Sequence, residues 1–147
     1  MITINISEQS LEYKGKSYSI STAINGTGEI EGSYCTPTGK FKIAEKIGAN
    51  LELGSVLVDR EPTGEIYNAD LAKKNPDRDW ILTRILWLDG VEVHNRNTKN
   101  RYIYIHGSPD DTQIGVPGSK GCIRMHNSEV IELFESIQSG EDVIIIE

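Results

Sequence analysis

Polar and apolar residues alternate along most of this chain. TINI (3–6), SYSISTAI (17–24), KFKIAEK (40–46) and SVLVD (55–59) each put side chains on two faces with a period of two. WILTRILWL (80–88), RYIYIHG (101–107) and EDVIIIE (141–147) continue the pattern. Asn25-Gly26, Thr36-Pro37-Thr38-Gly39, Pro62-Thr63-Gly64 and Asp89-Gly90 punctuate these runs as turns. One segment changes period: Val130, Leu133, Phe134 and Ile137 fall at helical spacing between Asn127 and Gln138. Asn127 or Ser128 can cap its start, Glu129 and Glu132 suit the positive end of the dipole, and Gly140 lies just past its end. The pattern therefore predicts a mainly β fold, a sandwich of mixed sheets with one amphipathic helix near the C-terminus. The polar span 60–79 reads as a long surface loop.

A length of 147 residues suits one domain, 1–147, with its own core. Hydrophobic residues make up 37% and charged residues 25%, as in soluble globular proteins. The net charge of -7 argues against nucleic acid as a partner, because phosphate binding needs a basic face. No window approaches the roughly 20 apolar residues of a membrane helix. Residues 1–20 lack the basic and apolar regions of a secretory signal, so the expectation is a cytoplasmic protein, the alternative being an exported one whose signal was removed.

Only two cysteines are present, too few for a disulfide framework and without metal-pair spacing. Cys35 precedes a turn and reads as a packing residue. Cys122 has a different setting: in GSKGCIRM (118–125) it lies between Lys120 and Arg124 and directly after Gly121. Thiolate is the reactive form of cysteine, and neighbouring cations can bring its pKa to roughly 3.5–7.5. The glycines let the backbone turn tightly, which brings N–H groups near the sulfur as donors for an oxyanion. A buried packing thiol is the competing reading. A nucleophile of this kind needs a base. Of three histidines, His94 lies in a polar turn and His126 flanks the helix start, whereas His106 ends a strand-like run before Gly-Ser-Pro, where an imidazole can face a cleft.

His106-Gly107, the loop that follows and Ser119-Lys120-Gly121-Cys122-Ile123-Arg124 together resemble the L,D-transpeptidase (YkuD-domain) family. TPTGKF (36–41) and STAINGTG (21–28) resemble further stretches of that family, so the likeness runs over about residues 20 to 147. The resemblance implies that Cys122 is the nucleophile, His106 the general base, and Gly107 the residue whose carbonyl orients the imidazole. It also implies that the N–H groups of Gly121 and Cys122 serve as oxyanion donors. Ser119 matches the loop hydroxyl of the family or forms a plain turn bond. Arg124 either binds a substrate carboxylate or forms a structural ion pair. Lys120 stands where the family usually has histidine, and either meets an anionic group of the substrate or is solvated.

The substrate so implied is the peptidoglycan stem peptide or a muropeptide. Acyl transfer through a Cys122 thioester expels the terminal D-alanine, with no metal and no cofactor. Water as acceptor makes an L,D-carboxypeptidase of muropeptide recycling, the expectation here; an amine makes an exported transpeptidase forming 3–3 crosslinks. Three other readings stay open: a sortase-like enzyme, a zinc site from Cys35, His106, Cys122 and His126, and a non-catalytic binding module.

Overall fold

The computed structural model describes all of residues 1–147. In chain order its elements are β1 (Ile2–Asn5), β2 (Ser10–Tyr13), β3 (Lys16–Ser19), β4 (Gly39–Ile47), β5 (Ser55–Val58) and β6 (Glu61–Ile66). After these come α1 (Ala69–Lys74), β7 (Ile81–Gly90), β8 (Tyr104–Ser108), β9 (Ile123–His126), α2 (Asn127–Ser136) and β10 (Asp142–Ile146). The fold is mainly β, as the alternation predicts. All ten strands join one mixed sheet in the order β3-β2-β1-β10-β4-β7-β5-β6, with β8 added on β7 and β9 on β8. The β1/β10 and β8/β9 pairs are parallel and the others antiparallel.

The sheet curls around α2. Val130, Leu133, Phe134 and Ile137 pack into one cluster with Ile2 and Ile4 of β1, Phe41 and Ile43 of β4, Leu86 and Leu88 of β7, and Val143 and Ile145 of β10. Each of these strands contributes alternate residues, which is the period of two made physical. Removing such a side chain from water is worth about 1.5–3 kcal/mol. The N-cap of α2 is His126, without a side-chain cap bond; the Asn127 side chain, a candidate cap in the sequence, points to Thr83 instead.

The span 60–79 is not a plain loop. Asp59 and Arg60, both at positive φ, turn the chain from β5 into the antiparallel strand β6. Asn68 then caps α1 by accepting from the Leu71 N–H at 2.8 Å. Neither element shows an apolar period: β6 is almost wholly exposed and α1 buries no residue. Backbone pairing to β5 and a side-chain cap hold them, and both leave little trace in hydropathy.

β7 has two working edges. β5 and β4 share one, and β8 takes the other. Opposite the His106–Gly107 peptide, β7 bulges, because Leu82 pairs with Gly107 while Ile85 pairs with His106. Thr83, in the bulge, is fully buried at φ 76°, a conformation that β-branched residues rarely adopt.

Candidate active site

Residues of β7 and β8 that point away from the main core form a second surface. Leu57, Ile85 and Tyr104 are its buried apolar members, and Trp87 and Cys122 pack against them. Alternation carries this face along β8 from Tyr104 to His106. β9 lies parallel to β8 with His106 opposite Arg124 and Ile105 opposite Ile123, so Cys122 enters on the same face beside Tyr104. The Tyr104 N–H donates to Cys122 Sγ at 3.4 Å, and the thiol donates to the Tyr102 carbonyl at 3.3 Å. No hydrogen bond joins Cys122 to His106 in this state.

His106 is 1% exposed. Its Nδ1–H donates to the Gly107 carbonyl at 2.6 Å, which leaves Nε2 as the free ring nitrogen. Gly107 has no room for a side chain: a Cβ there would stand 2.4 Å from Asn127 Oδ1 and 2.6 Å from the Leu82 carbonyl. Behind it, Thr83 Oγ1 donates to Asn127 Oδ1 at 2.7 Å and accepts from the Gly54 N–H at 3.0 Å. The bulge, the helix start and the histidine strand are thus locked together.

The loop before Cys122 is backed by the two upstream stretches singled out in the sequence. Ser21 exchanges both backbone hydrogen bonds with Arg124, and the Gly118 and Ser119 N–H groups donate to the Thr22 carbonyl. Thr36, of the TPTG turn, donates to the Gly121 carbonyl at 2.9 Å and accepts from the Ala23 N–H. Gly121 sits at φ 128° against the Cys35 carbonyl. Ser119 Oγ donates to the Cys122 carbonyl at 2.5 Å and accepts from the Gly121 N–H at 3.1 Å, the turn role. The Gly121 N–H is therefore engaged with Ser119, and of the two expected oxyanion donors only the Cys122 N–H is free of a protein partner.

The cations behave differently from the simple expectation. Arg124 is engaged, donating to Asp79 Oδ1 and to the Gly118 carbonyl, both at 3.0 Å. That is the structural ion pair, and it fastens the end of the 60–79 excursion to the site. Lys120 is exposed and makes no ion pair. Burial pushes the Cys122 thiol up to about 12; the Tyr104 N–H, Arg124 and Arg101 oppose this without outweighing it. Burial likewise holds His106 below its ordinary value, against the pull of the Gly107 carbonyl. In both groups burial works against the charged form, and at Cys122 it opposes the thiolate that flanking cations favour.

Cys122 opens into a cavity of about 600 Å³. Asp79 and Lys120 line both it and a neighbouring hollow of about 320 Å³ that also takes in Trp80 and Arg124. The other two histidines lie apart from this pair: His94 sits on a 3-10 turn with Nε2 3.0 Å from the Thr38 carbonyl, and His126 caps α2. The Cys35 thiol faces the Asn25 and Ser33 carbonyls, as a packing residue would. No cluster of three or more metal-ligating side chains forms anywhere in the chain. Sequence reasoning missed Thr83, Asp79, Arg60 and the two tyrosines. Only the tyrosines had a visible signal, their alternation with His106 in YIYIH.

The sequence matches the family model of the YkuD L,D-transpeptidase catalytic domain over residues 1–146. It is 35% identical over 95 residues to the putative L,D-transpeptidase YkuD of Bacillus subtilis, a match covering 65% of this chain and 50% of that protein. Its fold superposes on an L,D-transpeptidase from Xylanimonas cellulosilytica with a TM-score of 0.61 at 18% identity, covering 98% of this chain and 58% of that one. L,D-transpeptidase 3 from Mycobacterium tuberculosis, solved with a faropenem-derived adduct, gives 0.59 at 16% identity, covering 99% and 59%. The chain spans half of that Bacillus relative and under two thirds of these solved chains.

Proposed function

Because the chain belongs to the L,D-transpeptidase catalytic-domain family, we propose that it is a cysteine acyl-transfer enzyme acting on peptidoglycan stem tetrapeptides. The observation that carries this reading is the placement of Cys122, at the entry to β9, on the same face as His106 of the parallel strand β8, with the histidine tautomer set by Gly107. In the resting state the thiol donates a hydrogen bond to the Tyr102 carbonyl, and that bond must be given up before His106 takes the proton. His106 takes the thiol proton as Sγ bonds to the carbonyl carbon of the third residue, and the developing oxyanion accepts from the Cys122 N–H. Collapse breaks the peptide bond. The departing D-alanine amine takes the proton from His106, and a thioester remains.

Water, deprotonated by His106, then releases a tripeptide and regenerates the thiol. This makes the protein an L,D-carboxypeptidase, since water needs no further binding site. One observation favours an amine acceptor as the second reading: the hollow beside Trp80 and Arg124 shares Asp79 and Lys120 with the Cys122 cavity, so a second stem could approach from there. Incubating purified protein with a disaccharide tetrapeptide, with and without excess acceptor peptide, separates the two by mass spectrometry. Tripeptide plus D-alanine in both arms supports hydrolysis; 3–3 dimers in the second arm establish transfer. No product in either arm, with no Cys122 adduct from a carbapenem, overturns the acyl-transfer reading.

A further inference from the structure

Arg60 holds a position in the Cys122 cavity that nothing so far explains. It comes from the tight β5–β6 turn, and its guanidinium carbon lies 4.9 Å from the Trp87 ring centroid and 5.0 Å from that of Tyr102. Its Nη1 donates to Tyr104 Oη at 3.1 Å. A guanidinium has five N–H donors in its plane. The bond to Tyr104 is the one hydrogen bond its side chain makes, so most of those donors remain unused. None of the chain's ion pairs includes Arg60, although Asp59 is its neighbour. The other arginines at the site are spent. Arg101 donates to the Gly28 and Cys35 carbonyls, and Arg124 to Asp79 and the Gly118 carbonyl. Lys120 is a flexible, strongly hydrated point charge with nothing to aim it. Arg60 is therefore the one arginine of the cavity whose side chain makes neither an ion pair nor a hydrogen bond to the backbone.

Tyr104 measures its distance from the chemistry. The backbone N–H of that residue meets Cys122 Sγ at 3.4 Å and its hydroxyl meets Arg60 at 3.1 Å, so the thiol and the guanidinium contact opposite ends of one tyrosine. We propose that Arg60 is the carboxylate anchor of the cavity, forking onto a carboxylate of the acyl donor while Cys122 takes the donor's carbonyl carbon. Planar two-point pairing with carboxylate is what a pre-aimed guanidinium does well. A tetrapeptide donor offers the carboxylate of its leaving residue, three bonds from the attacked carbon, and, where its third residue is acidic at the side-chain end, a second carboxylate up to roughly 7–8 Å away when extended. The inference deepens the proposed function and rests on that reading for the identity of the donor, but not for the chemistry of the anchor.

The test uses thiol-reactive maleimides bearing a carboxylate on a short or a long arm, each beside its neutral amide. Modification of Cys122 is timed by peptide mass mapping in the unmodified chain, Arg60→Gln and Arg60→Lys. Circular dichroism checks that the variants fold. The expected result is about a tenfold preference for carboxylate over amide, the scale of one charge-assisted bond, lost in Arg60→Gln and only partly kept in Arg60→Lys. Preference confined to the long arm assigns the side-chain carboxylate; preference confined to the short arm assigns the leaving terminus. A carboxylate-to-amide ratio unchanged by Arg60→Gln on both arms overturns the proposal. Because the probes need no turnover, a preserved preference in a protein that cleaves no stem peptide would sink the proposed function and leave the anchor standing.

Discussion

β7 and β8 carry two faces that obey the same alternation and do opposite things. On the inner face Leu86, Leu88 and Ile105 meet α2 in a cluster of 20 buried residues. On the outer face a cluster of three, Leu57, Ile85 and Tyr104, leaves Cys122 beside an open cavity and His106 sealed behind it. The inner face is redundant, since most of its side chains are purely apolar, and only Tyr13 and Tyr18 have polar partners. The outer face is particular: its polar groups are held by specific hydrogen bonds, and the Thr83–Asn127–Gly107 contact shows how little slack exists. Large cores tolerate change by repacking. A site built from single contacts does not.

Four changes test that division. Cys122→Ala should abolish turnover and leave the unfolding midpoint nearly unchanged, because the thiol contributes to chemistry and little to the core; retained turnover would remove Cys122 from the mechanism. His106→Gln should slow acylation by about 10²–10⁴, read as single-turnover thioester formation. Equal losses from substituting His94 or His126 would show the wrong histidine had been chosen.

The inner face should answer in the other measure. Leu133→Ala empties part of the main cluster and should cost about 2–5 kcal/mol of stability, by denaturant unfolding, with turnover per folded molecule intact. Thr83→Val keeps the shape, removes the hydroxyl that Asn127 and Gly54 both meet, and should cost about 1–3 kcal/mol. It should also lower turnover per folded molecule, because His106 loses its backing; a stability loss with unchanged turnover would make Thr83 part of the inner regime.

The smallest effect concerns pH. With the thiol pushed up to about 12, alkylation of Cys122 by a neutral reagent should still be climbing tenfold per unit at pH 9. A plateau near neutrality would mean a resting thiolate. Burial holds His106 below its ordinary value, so the base form that turnover needs should be lost at lower pH than for a free imidazole, and the acid limb of the rate profile should be shifted down accordingly.

The two faces also differ in how they read from sequence. Most inner strands were visible because burial on one side imposes a period, as was the helix after Asn127; β2, though Leu11 and Tyr13 are buried, is too short to have stood out. β6 was not, because Pro62 and Gly64 look like a turn and both its faces meet water. β9 hid inside the nucleophile motif, where glycine and cysteine read as loop. Cys122, His106 and Gly107 stood out by residue type and setting, and by resemblance. The raised thiol pKa did not, since flanking cations are visible in sequence and desolvation is not. Arg60 and Asp79 reach the site from the 60–79 excursion, and no local pattern announces so distant a partner.

The pairing of β1 with β10 has a kinetic side. Ile2 lies opposite Val143, so the centre of the sheet is closed by strands from the two extremes of the chain. That contact must repay the entropy of closing nearly the whole polypeptide into one loop, and topologies rich in such distant pairings fold slowly. β2 and β3 can form a hairpin early, but β1 gains its second neighbour only when β10 arrives, and β4 waits for the same strand. Until then β1 and β4 each present an unpaired edge, the surface through which partly folded chains pair with one another.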